Sequence, residues 1–344
     1  MDSFLGIDYA TWWYLVVGGV FTGYAILDGF DLGAGAWHLF IRREENRRIA
    51  LNAVGPVWDG NEVWLVIGGG ALFAGFPKVY ASLLSAMYIP FMLFLVMLIF
   101  RAISIEFRSK EPMAWWRRLW DVSYSVSSIA LAVLLGVVLG NVLQGIAIDT
   151  NGDHTGHWLD FLNPYALTVG LLTLLLFMVH GGIYLGMKTE GRLFAKLYVL
   201  LKWAMLALTV MFGVVTVWSL IHIPQLSDRF LAEPAYLVIP ALAFLSLANV
   251  PRLITRKRFK IAFFFSALMV ALLLITVAIE LYPVILMSTV DRAFDLTVHN
   301  ASSSSKSLGI MLTFALVGVP LVAGYTFFVY RTFYGKVKMD EHSY

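Results

Sequence analysis

Long apolar runs separated by short polar intervals dominate this chain. A bilayer crossing takes about 20 mostly apolar residues. Runs of that kind lie near 9–40, 50–76, 79–100, 121–147, 164–187, 197–222, 232–250, 261–286 and 309–331. The pattern predicts nine membrane-spanning helices, the seventh short and interrupted by Pro234 and Pro240. The opening MDSFLGIDYATWW has no basic segment and no small-residue cleavage site, so its apolar run reads as a retained helix and not a signal peptide. No sequence repeat, low-complexity tail or soluble domain interrupts the series. The expected fold class is therefore an all-α integral membrane protein, a bundle or pair of bundles of helices.

Composition agrees with the pattern. Of 344 residues, 60% are hydrophobic and 14% charged, against about 25% charged in soluble domains, and mean hydropathy is +0.78. The formal net charge of +3 gives no sign of a nucleic-acid partner. There is no cysteine, which removes disulfides, thiolate haem ligands, iron–sulfur clusters and cysteine zinc sites.

Charge placement orients the helices. One set of alternate loops holds Arg42, Arg43, Arg47 and Arg48, then Arg101, Arg108, Lys110, Arg117 and Arg118, then Lys188, Arg192 and Lys196. It continues with Arg252, Arg256, Lys257, Arg258 and Lys260, and ends with Arg331, Lys336 and Lys338, 20 basic residues in all. The other set holds four: Lys78, Arg229, Arg292 and Lys306. By the positive-inside rule the N-terminus lies outside and the C-terminus in the cytoplasm.

Against this background the acids are conspicuous. The run 24–35 reads YAILDGFDLGAG, with Asp28 and Asp31 one turn apart on one helix face. Gly19 with Gly23, and Gly29 with Gly33, form two GxxxG patterns that favour close helix approach. The second span repeats the theme in GPVWDGNEVWLVIGGGALFAGFP: Asp59 and Glu62 are again at i, i+3, around Asn61, and Trp58 and Trp64 flank them. Four acids on two sequential helices at similar depth predict one polar pocket able to pass protons. The alternative is a pair of helix ends whose acids meet headgroups and water. Gly68, Gly69 and Gly70 form a smooth strip suited to close packing.

Other polar residues carry weaker signals. Asp121 opens the fourth span, where it can cap a helix or meet Arg117 and Arg118. Asn141 and Gln144 are placed to bond between helices, and Glu280 reads as an acid near an interface. Of the seven histidines, His154, His157, His222 and His299 lie at outer loops or helix ends, His38 near a cytoplasmic end and His342 in the tail. Only His180 reads as buried, and a lone buried histidine fits packing better than ligation. No histidine pair is placed to clamp a haem, so a haem held by this chain alone is not expected. Nucleotide-binding and hydrolase motifs are missing.

Several of these segments resemble subunit II of the cytochrome bd-type quinol oxidases. They are LDGFDLGAG, NAVGPVWDGNEVWLVIGGGALFAGFPKVYA, RSKEPMAWWRRLWD, HGGIYLGMKTEG and LTVHNASSSSKSLGIM, spread from the first span to the last. The resemblance implies nine helices arranged as two four-helix bundles plus a peripheral helix, the first bundle over about 1–147 and the second with the extra helix over 164–344. It implies a bacterial cytoplasmic-membrane complex that oxidises quinol and reduces dioxygen to water with cytoplasmic protons. Subunit I would carry the quinol site and the haems, of b and d type, and this subunit none. Small single-span subunits, and a structural quinone or lipid, are further expectations. By motif, Asp31 and Asp59 fall at acids of a suggested proton path, and Trp64 at the mouth of a proposed oxygen channel. Asp28 and Glu62 occupy less uniform positions, the latter sometimes glutamine. Two other readings remain open: a stand-alone proton-coupled transporter, and a purely structural subunit.

Overall fold

The computed structural model describes residues 3–337. Lys338 and His342 lie outside the described residues. Helix α1 spans Tyr9–His38, α2 Glu44–Val54, α3 Trp58–Gly75, α4 Pro77–Ala86, α5 Tyr88–Phe107 and α6 Ala114–Gln144. They are followed by α7 (Pro164–Lys188), α8 (Gly191–His222), the short α9 (Asp228–Ala232), α10 (Val238–Thr255), α11 (Phe259–Leu281) and α12 (Ser305–Thr332). Among the described residues, eight helical segments are long and apolar enough to cross a membrane. The pair α3–α4, bent by 117°, supplies a ninth crossing when taken as one span.

Local sequence explains the starts of these helices. Asp8 caps α1 by accepting from Thr11 N at 2.9 Å, and Asn163 caps α7 by accepting from Ala166 N at 2.8 Å, ahead of Pro164 at the first helical position. Ser304 caps α12, so the serine run 302–305 ends in a helix start. Its neighbour Ser303 donates to the C-terminal carbonyls of α3, from Oγ to Ala74 O at 2.6 Å and from N to Gly75 O at 2.8 Å. Pro240 lies in the first turn of α10, where no intrahelical partner for its N–H is needed. The seventh crossing therefore runs unbroken over Pro234–Thr255.

Three expected boundaries move. The second span does not begin at 50: the polar α2 ends at Val54, Pro56 offers no N–H to continue the ladder, and α3 starts at Trp58. The third span does not begin at 79: residues 79–86 belong to the short α4, paired with α3, and the span is α5, from Tyr88 to Phe107. Arg101 is thus inside a helix and not in a loop. The fourth helix starts at Ala114, which puts Asp121 two turns inside it.

Helix α1 is the hub, packed against α3, α6, α7, α11 and α12. Its closest neighbour crosses at glycine on both sides. A Cβ on Gly33 would stand 1.7 Å from Phe177 O, and one on Gly181 2.4 Å from Phe30 O. Only hydrogen side chains permit that approach. Gly19, Gly69 and Gly70 meet nothing within 4 Å, so only part of each expected glycine strip is used within this chain. At the loop end, β3 (Val284–Leu286) pairs antiparallel with β4 (Leu296–Thr297), and a short β1–β2 hairpin (Ser3–Phe4, Ile7–Asp8) precedes α1. The other end carries most of the arginines and is called the basic end below.

Candidate functional site

Residues 28–38 of α1 are buried without a break. A carboxyl placed there must find its partners inside the protein. Asp28 and Asp31 are both 0% exposed. Asp28 is gripped by Arg101 of α5: Nη2 donates to Oδ1 at 2.6 Å and Nη1 to Oδ2 at 3.0 Å. This is the two-pronged match between a planar guanidinium and a carboxylate. The same Nη1 donates to Glu62 Oε1 of α3 at 2.7 Å. Arg101 is itself 0% exposed, while the Glu62 side chain reaches the surface at 21%.

Asp31, one turn further along α1, is bonded differently. Its Oδ2 accepts from Asn61 Nδ2 of α3 at 2.6 Å, and its Oδ1 is buried with no hydrogen-bond partner. Tyr24 Oη, Trp64 Nε1 and Arg101 Nε are likewise buried and unbonded. Buried polar atoms are almost always bonded, so unused bonding capacity is concentrated along this seam of α1, α3 and α5. One guanidinium here bonds two carboxyl groups, Asp28 and Glu62, and a third, Asp31, lies one turn further along α1 with no cation bonded to it. Full ionisation would leave uncompensated negative charge in a water-poor interior, which is costly unless protons are held there.

Arg101 is the residue that sequence reading missed, because an arginine ending an apolar run looks like an interfacial anchor. A signal was present. Phe94, Arg101 and Arg108 recur at seven-residue spacing, and Phe94, Arg101, Ser104 and Ile105 form the buried stripe of α5.

The expected pocket of four acids is corrected in one member. Asp59 is exposed on the outer face of α3. The buried face of α3 is set by Trp58, Asn61, Gly68 and Gly75, so Asp59 points away from α1 and Glu62 lies at the edge. Trp64 is half-buried and its ring lies against Gly23 of α1, where an added Cβ would stand 2.7 Å from the indole.

A second ionic cluster closes the basic end. Asp121 of α6 is 1% exposed and both of its oxygens are saturated. Oδ1 meets His38 Nε2 at 2.5 Å and Arg108 Nε at 2.6 Å, and Oδ2 accepts from Arg47 Nη1 at 2.9 Å and Arg108 Nη2 at 3.3 Å. Its partners are therefore not Arg117 and Arg118. Arg108 also donates to both oxygens of Glu44 at 3.0 Å. Burial alone would weaken the Arg108 cation, but its bonds to Asp121 and Glu44 outweigh that and hold its proton more tightly than an ordinary guanidinium does.

The remaining polar candidates resolve as structural. His180 is 0% exposed, with Nδ1 on Ser266 Oγ at 2.7 Å and Nε2 on Ile26 O at 3.0 Å, and it stacks on Phe263. Neither of its ring nitrogens is free to ligate a metal. Asn141 donates to Val137 O and Phe161 O, tying α6 to the following loop, while Gln144 is exposed. Glu280 lines a shallow cavity at the loop end with Arg229 and Tyr282. Among the described residues no group of three or more histidines and acids is placed to hold a metal ion.

Comparison with known proteins fits this arrangement. The family model described as cytochrome bd terminal oxidase subunit II matches residues 9–333. Cytochrome bd-I ubiquinol oxidase subunit 2 of Escherichia coli strain K12 is 31% identical over 362 residues, covering 96% of this chain and 95% of that one. Cytochrome bd ubiquinol oxidase subunit 2 of Bacillus subtilis strain 168 is 32% identical over 332 residues, covering 96% and 97%. The solved structure of bd oxidase from Geobacillus thermodenitrificans has the same fold, with a TM-score of 0.79 over 95% of this chain and 98% of that one at 18% identity. The match runs through the buried acids and the helices that hold them, and the chain belongs to the cytochrome bd terminal oxidase subunit II family.

Proposed function

We propose that this chain is the haem-free second subunit of a bacterial bd-type quinol oxidase, and that its buried acid cluster moves protons from the basic end towards a haem-bearing subunit I. The relatives named above are ubiquinol oxidase subunits, so the complex would take electrons from a quinol and pass them to dioxygen. In this reading the basic end faces the cytoplasm and the N-terminus lies outside, as the charge split requires. The haems of the partner supply the oxygen chemistry, and this chain supplies access and scaffold.

The observation that carries the proposal is the imbalance of the cluster: two carboxyls share one guanidinium, and a third, Asp31, lies one turn away with Oδ1 unbonded. Such a site can accept a proton and release it without breaking the Arg101–Asp28 grip. Asp31 is the proton-holding member. Glu62 leads from the cluster to the surface, and Asp59, exposed about one turn away, continues onto the face of α3 where subunit I would dock. Haem ligation by His180 is disfavoured because both of its ring nitrogens are bonded, and His38 has its Nε2 committed to Asp121 with only Nδ1 left unbonded. Trp64, wedged against Gly23 at the α1–α3 seam, would line an oxygen entrance.

The test is made in the intact complex with Asp31→Asn and Asp59→Asn. Each is expected to assemble with full haem content and to lose turnover. Unchanged oxygen consumption in both variants would make the subunit purely structural.

A further inference from the structure

Helix α12 is peripheral, with only 11% of its membrane-length window buried. Near its basic end, however, Tyr330 reaches inward. Its ring meets Phe30 edge-on at 6.2 Å, and its hydroxyl donates to Asn61 Oδ1 at 3.0 Å. Asn61 in turn donates through Nδ2 to Asp31 Oδ2 at 2.6 Å and to Leu27 O at 3.2 Å. We infer that Tyr330 and Asn61 act as a positioning pair that holds Asp31 in one orientation and reserves its Oδ1 for the proton. The inference rests on the proton-path reading above and names residues that the reading does not use.

The hydrogen-bond chemistry leaves one arrangement. Leu27 O can only accept, so the amide nitrogen of Asn61 must face it. That same nitrogen then faces Asp31 Oδ2, and the amide oxygen faces Tyr330. A flipped amide would set its oxygen against both Leu27 O and the Asp31 carboxyl, and Tyr330 donation opposes the flip further. With Oδ2 occupied by a fixed donor, the proton that Asp31 takes up goes to Oδ1, which is buried and bonded to nothing. Asn61 itself is 1% exposed, so no solvent exchange competes for its amide.

The charged and titratable groups around Asp31 come from six helices, and α11 contributes none of them. They are Asp28 and Tyr24 on α1, Glu62 on α3, Arg101 on α5, Tyr124 on α6, Tyr184 on α7 and Tyr330 on α12. Of these tyrosines, Tyr330 is the one bonded to the donor of Asp31. Tyr184 spends its hydroxyl on Ala53 O at 3.0 Å.

Tyr330→Phe keeps the ring contact with Phe30 and removes only the hydroxyl. The measurement is redox-difference infrared spectroscopy of the intact complex, reading the carboxyl band that Asp31→Asn abolishes, together with turnover per haem. Tyr330→Phe is expected to displace that band and to lower turnover roughly two- to tenfold, the worth of one neutral hydrogen bond, with the haem spectrum unchanged. Asn61→Leu, which removes the amide itself, is expected to displace the band at least as far. A band that stays in place in both variants overturns the inference. Full turnover in Asp31→Asn would instead overturn the proton path, and the Tyr330→Phe band position reads the positioning pair whatever that result.

Discussion

Two buried ion clusters lie on the same stripe of α5, and they are built on opposite principles. Arg108 and Arg101 are seven residues apart in sequence, so their clusters are separated by about 10 Å along the helix. At the basic end, one buried carboxylate, Asp121, is surrounded by His38, Arg47 and Arg108, and both of its oxygens are saturated. Deeper in, one guanidinium is shared by an excess of carboxyls, and Asp31 keeps an unbonded oxygen. A carboxylate whose two oxygens are both saturated by donors has nothing to gain from a proton, and Asp121 acts as a clamp joining α1, α2, α5 and α6. An acid-rich cluster with open bonding capacity is suited to exchange. Burial is the same in both, so burial alone does not mark function. Charge balance and saturation do.

The sharpest way to break this comparison is to remove the cation. Arg101→Met strands Asp28 and Glu62 in the interior and is expected to cost about 3–5 kcal/mol, seen as loss of assembled complex or a lowered thermal midpoint. Adding Asp28→Asn and Glu62→Gln to it should recover most of that loss. A single variant as stable as the parent would show that the cluster is not held by ion pairing. Next in size is Asp121→Asn, which weakens the clamp by about 2–3 kcal/mol because the neutral amide satisfies fewer of the four donors. Its turnover per haem should equal the parent's. A selective loss of turnover there would erase the distinction between clamp and exchange site. The smallest effect belongs to Glu62→Gln. It keeps an acceptor for Arg101 while removing one excess negative charge, so stability should change by less than about 1 kcal/mol. A larger destabilisation, read from the same melting curve, would mean that the cluster needs its full negative charge to hold together.

Much of this architecture is legible without coordinates, because bilayer thickness and loop charge are strong constraints. The nine apolar runs and the packing role of His180 follow from spacing and from local chemistry. Asp28 and Asp31 also stand out, since few residues are as costly in a membrane. What the sequence hides is partnership. Arg101 reads as an interfacial end because its partners come from α1 and α3, far away in the chain. Asp121 reads as the partner of Arg117 and Arg118 because those are near in sequence, yet Arg47 and Arg108 reach it from α2 and the end of α5. Asp59 and Glu62 share a helix face by spacing, but which side of α3 faces α1 depends on Trp58, Asn61 and Gly68, and that choice turns Asp59 outward. Likewise Tyr330 sits on the least buried of the long helices, and nothing in its local sequence connects it with Asp31.

The central claim is that Asp31 handles protons while Asp121 only clamps. The most direct test is proton uptake during oxygen reduction, measured with a pH-sensitive dye on complexes of matched haem content carrying Asp31→Asn or Asp121→Asn. The expected result is uptake slowed by roughly a hundredfold or more in Asp31→Asn, the range by which a positioned proton-transfer group contributes to rate, and uptake at the parent rate in Asp121→Asn. Parent-rate uptake in Asp31→Asn, or equal slowing in both variants, would contradict it.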